Sequence, residues 1–315
     1  MNIFFAGATG VIGRQLLPRL IEAGHTVTAI TRSPDRVAQL RAAGAQPVIC
    51  DVFDRDTLAR AVRDAKPEVV IHQLTNIPQH LDTRRVDRDF AQTNRLRSEG
   101  TQLLMQAARA AGARLFIAQS IATFYAPDSA RPATEDVPLY KDAPPAFAGM
   151  VQALDALEHT VLNTTGIDGI VLRYGYFYGP GTIYAADGSF VADVRKRRVP
   201  IIGSGNGVTS FIHVADAAAA TVLAMNAGRP GIYNIVDDDP APIRVWLPVV
   251  AALCGAPRPM ALPAIIGRLA AGRWGYYFMT EQRGASNARA RQQLDWRPQY
   301  ASWRDGFRAE LTAQV

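Results

Sequence analysis

Short apolar runs alternate with amphipathic stretches along the first two thirds of the chain. Residues 2–6, Asn-Ile-Phe-Phe-Ala, have strand length, and residues 14–23 repeat apolar positions at helical spacing. A β-branched run over 26–31 predicts a second strand, a helix follows to Ala43, and 46–49 predicts a third strand. The alternation continues with a helix over 56–65, a strand over 68–75, one long helix over 87–111 and a strand over 114–120. A helix over 146–162, a strand over 167–174, an alanine-rich helix after Asp216 and a strand over 231–236 follow, with helical stretches over 246–255 and 259–272. Strands and helices in this order predict an α/β fold, a doubly wound parallel sheet of Rossmann type with a smaller, mostly helical C-terminal part. Residues 1–175 and 208–236 are expected to form the dinucleotide-binding domain, and residues 176–207 and 237–315 the substrate-binding part.

The polar interruptions carry the chemistry. Between the first strand and the first helix stands Gly7-Ala8-Thr9-Gly10-Val11-Ile12-Gly13. Three glycines between a strand and a helix gather backbone N–H groups at a helix N-terminus, a place suited to a pyrophosphate. Gly7 makes the turn, Gly10 admits the phosphate, and Gly13 lets helix and strand approach, with Thr9, Val11 and Ile12 completing the loop. The second strand ends in Arg32, where an acid would accept from the ribose 2′-hydroxyl of NAD and an arginine accommodates the 2′-phosphate of NADP. NADP(H) is therefore the expected cofactor. Ligands of such sheets lie across the carboxyl ends of the strands, which brings in Leu74 and Thr75 at the end of the fourth.

The GxxGxxG spacing resembles the short-chain dehydrogenase/reductase superfamily, in particular its extended, NAD(P)-dependent epimerase/dehydratase branch. Leu172-Arg173-Tyr174-Gly175-Tyr176-Phe177-Tyr178-Gly179-Pro180-Gly181, Ser210 to Asp216, Gly231 to Val236 and Leu294-Asp295-Trp296-Arg297-Pro298 carry the likeness through the chain. The resemblance implies that Asp51 and Val52 meet the adenine, and that Tyr174, Gly175 and Phe177 pack around the nicotinamide. It also implies a serine and a Tyr-x-x-x-Lys pair as the reaction centre. The lysine would lower the tyrosine pKa and the phenol would exchange a proton with the substrate oxygen. Gln119-Ser120-Ile121-Ala122-Thr123-Phe124-Tyr125 resembles the serine-rich stretch, but its catalytic slot falls on Ile121. The lysines are Lys66, Lys141 and Lys196, and none follows a tyrosine by four. On the helix, a register anchored on Glu158 leaves Met150 and Leu154 in the two slots; one anchored on Asp155 leaves Phe147 and Val151. Ser120, Thr123 and Tyr125 are the candidate catalytic residues, and Tyr140, Tyr174, Tyr176 and Tyr178 are further phenols expected near the crevice.

Composition narrows the classes. At 315 residues, 48% of them apolar, the chain can bury a sizeable core, and its two cysteines make neither a disulfide framework nor a zinc site. No metal is expected. The net charge of +6 is carried almost wholly by arginines, dispersed except at Arg195-Lys196-Arg197-Arg198, without the aromatic interleaving of a nucleic-acid platform. No membrane span or signal peptide is read, so the expected location is cytoplasmic, with a small-molecule substrate and a homodimer left open. The expected activity is an NADP(H)-dependent oxidoreductase, of ketone reductase or alcohol dehydrogenase type, with a non-standard proton donor. A non-catalytic NADP(H) sensor and a redox-neutral epimerase or isomerase are the alternatives.

Overall fold

The computed structural model describes residues 1–78, 81–128 and 132–312. Seven strands form one parallel sheet: β1 (Asn2–Ala6), β2 (Thr26–Thr31), β3 (Gln46–Ile49), β4 (Val69–His72), β5 (Leu115–Ile121), β6 (Asp168–Tyr174) and β7 (Gly231–Ile235). They lie in the order β7-β6-β5-β4-β1-β2-β3, so the chain reverses its direction of travel between β1 and β4. That reversal opens a crevice at the carboxyl edge, where the loops after β1 and β4 part to opposite faces.

The strands are apolar on both faces because helices cover both. Ile3, Phe5, Val69, Ile71, Leu115 and Ile117 enter one buried cluster, and Phe4, Ala6, Val70, Phe116 and Ala118 enter the other. Adjacent residues go to opposite sides, as the pleat demands. Helices Val11–Glu22 and Val214–Ala227 cover the first face; Arg55–Ala65, Thr101–Ala110 and Pro145–Asn163 lie over the second. A third core, with Trp246, Trp303, Phe211 and Phe307, holds the C-terminal elements.

Two expectations change in detail. The long helix over 87–111 is a broken run: Val86–Asp89, Ala91–Arg95, a π segment Leu96–Gly100, then Thr101–Ala110. A π turn widens the ladder by one residue and commonly marks a functional position. The stretch over 259–272 begins with a two-residue strand, Ala261–Leu262, paired with Ile201–Ile202; the helix is Ala264–Thr280, broken at Gly272. Near the start of the third helix, Asp54 is the cap, accepting from the Thr57 N–H, while Asp51 accepts from the Phe53 N–H.

Candidate active site at the carboxyl edge

The first loop is shaped by contact as well as by flexibility. Gly7 has φ +107°, and a Cβ there would strike the backbone of Gln73, just past β4. A Cβ on Gly13 would collide with the Gly7 carbonyl oxygen and the Ala8 backbone. Gly10 stands exposed in extended geometry before Val11–Glu22, with no side chain capping that helix. The free N–H groups at that end form the cradle a pyrophosphate needs. The residues present thus fit a dinucleotide.

Around the cradle, Thr9 and Val11 are half-buried, Ile12 is buried, and Arg32 is exposed just past β2. Asp51 is half-buried beside buried Val52; Leu74 is half-buried and Thr75 exposed. Tyr174 turns inward instead. Its hydroxyl bonds Thr221 at 2.7 Å and accepts from Gln73 at 3.1 Å, and burial raises its pKa to about 12. Gly175 is buried and Phe177 half-buried, its ring 5.2 Å from that of Tyr174.

Two of the three candidate hydroxyls have protein partners in one sealed network. Ser120 donates to Glu158 Oε1 at 2.7 Å; Arg173 donates to both Glu158 oxygens at 2.8 and 2.6 Å and to the Tyr125 hydroxyl at 3.0 Å. Tyr125 in turn donates to Asn234 Oδ1 at 2.6 Å. Burial works to lower the Arg173 pKa, but the hydrogen bonds and charge of Glu158 outweigh it and hold the guanidinium charged. Burial raises the Tyr125 pKa, with Arg173 opposing. The network ties β5, β6 and β7 to helix Pro145–Asn163, and neither Ser120 nor Tyr125 is accessible.

Thr123 lies elsewhere. Near it, half-buried Tyr176, whose pKa Thr123 works to lower, donates to Gln282 at 2.8 Å. Burial raises the Tyr176 pKa well above its ordinary value, so it acts as a neutral hydrogen-bond donor. Tyr277 donates to the carbonyls of Thr123 and Tyr125 at 3.1 and 3.2 Å. Its ring packs 5.0 Å from Phe147 and 6.0 Å from Tyr140. Of the other phenols, Tyr178 is enclosed against Phe307, 4.7 Å between rings.

The helix facing this region is apolar in either register. Glu158 is the buried acid and Asp155 the exposed one. Phe147, Met150, Val151 and Leu154 are all buried, in one cluster with Phe124, Leu139 and Tyr277. Among the described residues no group of three acidic, histidine or cysteine side chains could hold a metal, and no helix is long and apolar enough to cross a membrane. The sequence reading did not single out Gln282 or Arg97. Gln282 carries no local motif, whereas Arg97 falls among the buried positions of its helix and could have been noticed there.

Known proteins resemble this chain along its whole length. It is 45% identical over 316 residues to a 3-diazoavenalumate denitrifying reductase of a Streptomyces species, covering 98% of this chain and all of that one. It is 30% identical to a 4-hydroxy-2-methyl-3-oxo-4-farnesyl-3,4-dihydroquinoline-1-oxide ketoreductase of Stigmatella aurantiaca, over 78% and 71% of the two chains. The solved UDP-glucose 4-epimerase of Thermotoga maritima, with UDP-glucose, superposes with a TM-score of 0.77 at 22% identity, over 100% and 99% of the chains, a likeness of fold. The model of the NAD dependent epimerase/dehydratase family matches residues 3–236, sheet and glycine cradle included, and the chain is an enzyme of that family.

Proposed function

We propose that the protein is an NADPH-dependent reductase that delivers hydride to a carbon of a small organic substrate bearing a diazo group, releasing N2. The observation that carries this reading is the apolar face of helix Pro145–Asn163. Phe147, Met150, Val151 and Leu154 offer no proton there, and the buried hydroxyls of Ser120 and Tyr125 are committed to Arg173, Glu158 and Asn234. Ketone reduction and epimerisation both need a proton moved at the substrate oxygen. The relative that is 45% identical is named for a diazo substrate, its denitrification and its reduction, which is chemistry without that need. Gly7, Gly10 and Gly13 would hold the reduced cofactor, which would supply the hydride; the C–H bond at the carbon of an aryl diazonium would form as the C–N bond breaks and its electron pair leaves with N2, a two-electron reduction that needs no proton from a side chain. The chain's own part is to hold the dinucleotide on Gly7, Gly10 and Gly13, to exclude water with the Phe124, Phe147 and Tyr277 cluster, and to orient the substrate.

Arg32 supports the phosphorylated cofactor, since its exposed guanidinium at the end of β2 can pair with a 2′-phosphate. A second reading, carbonyl reduction, is favoured by the Tyr176–Gln282 pair, whose half-buried phenol could donate to a substrate oxygen. The test incubates purified protein and NADPH with an aryl diazonium salt and, in parallel, an aryl ketone. One N2 released per NADPH oxidised, with deuterium from 4-deuterated cofactor on the ring carbon, is the expected result. Turnover of the ketone alone, abolished in Tyr176→Phe, would transfer the conclusion to the second reading.

A further inference from the structure

Arg97 is a buried cation to which no acid among the described residues is paired. It is 1% exposed on the π segment Leu96–Gly100, its Nε and Nη1 have no hydrogen-bond partner, and it makes no ion pair among the described residues. Burial alone lowers its pKa to about 10, which still leaves it charged at neutral pH. Removing an unpaired ion from water costs several kcal/mol, so folded proteins rarely retain one without a use.

Its surroundings locate it at the carboxyl edge. Its charge is felt by His72, the last residue of β4, whose Nε2 bonds Thr101 one turn further along the helix. Thr93, a turn earlier, accepts from the N–H of Asn76 in the loop leaving β4. A Cβ on Gly100 would rest 3.6 Å from Val52, in the loop leaving β3. Asn94 lies beside Gly149 of helix Pro145–Asn163, and its Oδ1 is buried and unpartnered. The segment therefore stands between two strand-end loops and the apolar helix, and polar atoms without partners gather on it.

We infer that Arg97 is a ligand-binding residue whose guanidinium receives an anionic oxygen, a phosphate or carboxylate, from the molecules that bind at the carboxyl edge. The inference rests on the use of that edge proposed above and adds the charge that the ligand must bring. Charge-assisted bonds to a guanidinium are strong and directional, and the Nε and Nη1 of Arg97 have none within the fold. Two sources can supply the oxygen: the dinucleotide's phosphates, or a carboxylate on the substrate.

The test compares full-length wild type with Arg97→Met and Arg97→Lys. Thermal midpoints are read without ligand and with sulfate, cinnamate and cinnamamide, and NADPH affinity is read by calorimetry. Without ligand, Arg97→Met is expected to melt no lower than wild type, because it removes an unpaired charge. With ligand, it is expected to lose at least ten-fold in affinity for NADPH, placing the oxygen on the cofactor, or to lose the midpoint gain from cinnamate while cinnamamide acts equally on both proteins, placing it on the substrate. Arg97→Lys should retain part of either effect, and it carries the comparison if the methionine variant does not fold. NADPH affinity and sulfate and cinnamate responses all equal to wild type would overturn the inference, and a midpoint lowered by several degrees alongside them would identify Arg97 as a water-bridged structural group. Wild type that binds no NADPH sinks the proposed function instead, and the sulfate and cinnamate responses then judge Arg97 separately.

Discussion

Arg173 and Arg97 are buried to nearly the same depth, at 3% and 1% exposure, in opposite circumstances. Arg173 meets both oxygens of Glu158 and the phenol of Tyr125, and the bonds continue to Ser120 and Asn234. Arg97 meets no acid among the described residues. Where a buried charge is answered inside the chain, the side chains act as fasteners; where it is not, the charge is left for something outside the chain to meet, as inferred above for Arg97. The contrast sets the part of the carboxyl edge that ties strands together against the part proposed to receive a ligand.

The largest test of the contrast is to break the answered pair. Arg173→Met leaves the Glu158 carboxylate buried without its partner and should cost about 3–5 kcal/mol of unfolding free energy, read by urea titration. A loss below 1 kcal/mol would mean that the network is not a fastener. Next comes His72, whose pKa is pushed from 6.5 to about 4, chiefly by burial, with a backbone bond at Leu96 opposing and the Arg97 charge adding. The unfolded chain takes up this proton near pH 6.5 and the folded one near 4. The contribution is therefore present above 6.5 and lost as pH falls toward 4, up to about 3 kcal/mol. Urea midpoints at pH 7 and 4.5 should diverge more in wild type than in His72→Gln, and Arg97→Met should narrow the wild-type difference. A third arginine, exposed Arg32, extends the comparison to a charge proposed to meet the 2′-phosphate of the cofactor. Arg32→Ala should cost NADPH about 1.5–3 kcal/mol of binding while leaving NADH nearly unchanged, measured by calorimetry. Equal losses for both would remove the reason for naming the phosphorylated form. Gly13→Ala, which drives a methyl into the Gly7 carbonyl, should weaken both dinucleotides alike by about 1–3 kcal/mol.

Local pattern made the fold readable. Each strand of the sheet is a short apolar run because both faces are covered, and the glycine loop announces its geometry through spacing that admits few other backbones. The break in the long helix was not readable, since a π turn slips the apolar pattern by a single residue and leaves both flanking stretches helical. The candidate site was half legible. The absence of a tyrosine four residues before a lysine is plain from the sequence, whereas the use of Ser120 and Tyr125 depends on Glu158, Arg173 and Asn234, which reach them only after the sheet has formed. Tyr176 and Gln282 meet across 106 residues, a meeting that no window of sequence displays.

The position of β7 has a consequence for synthesis. Tyr125 and the edge of β6 are made early, and Asn234, which pairs with the first and lies on the strand that covers the second, is made much later. Until then β6 lacks the strand that covers this edge and would show a bare row of backbone donors and acceptors. Such a half-made sheet is a natural client for a chaperone, and pauses in translation before residue 231 would lengthen its exposure to stray pairing.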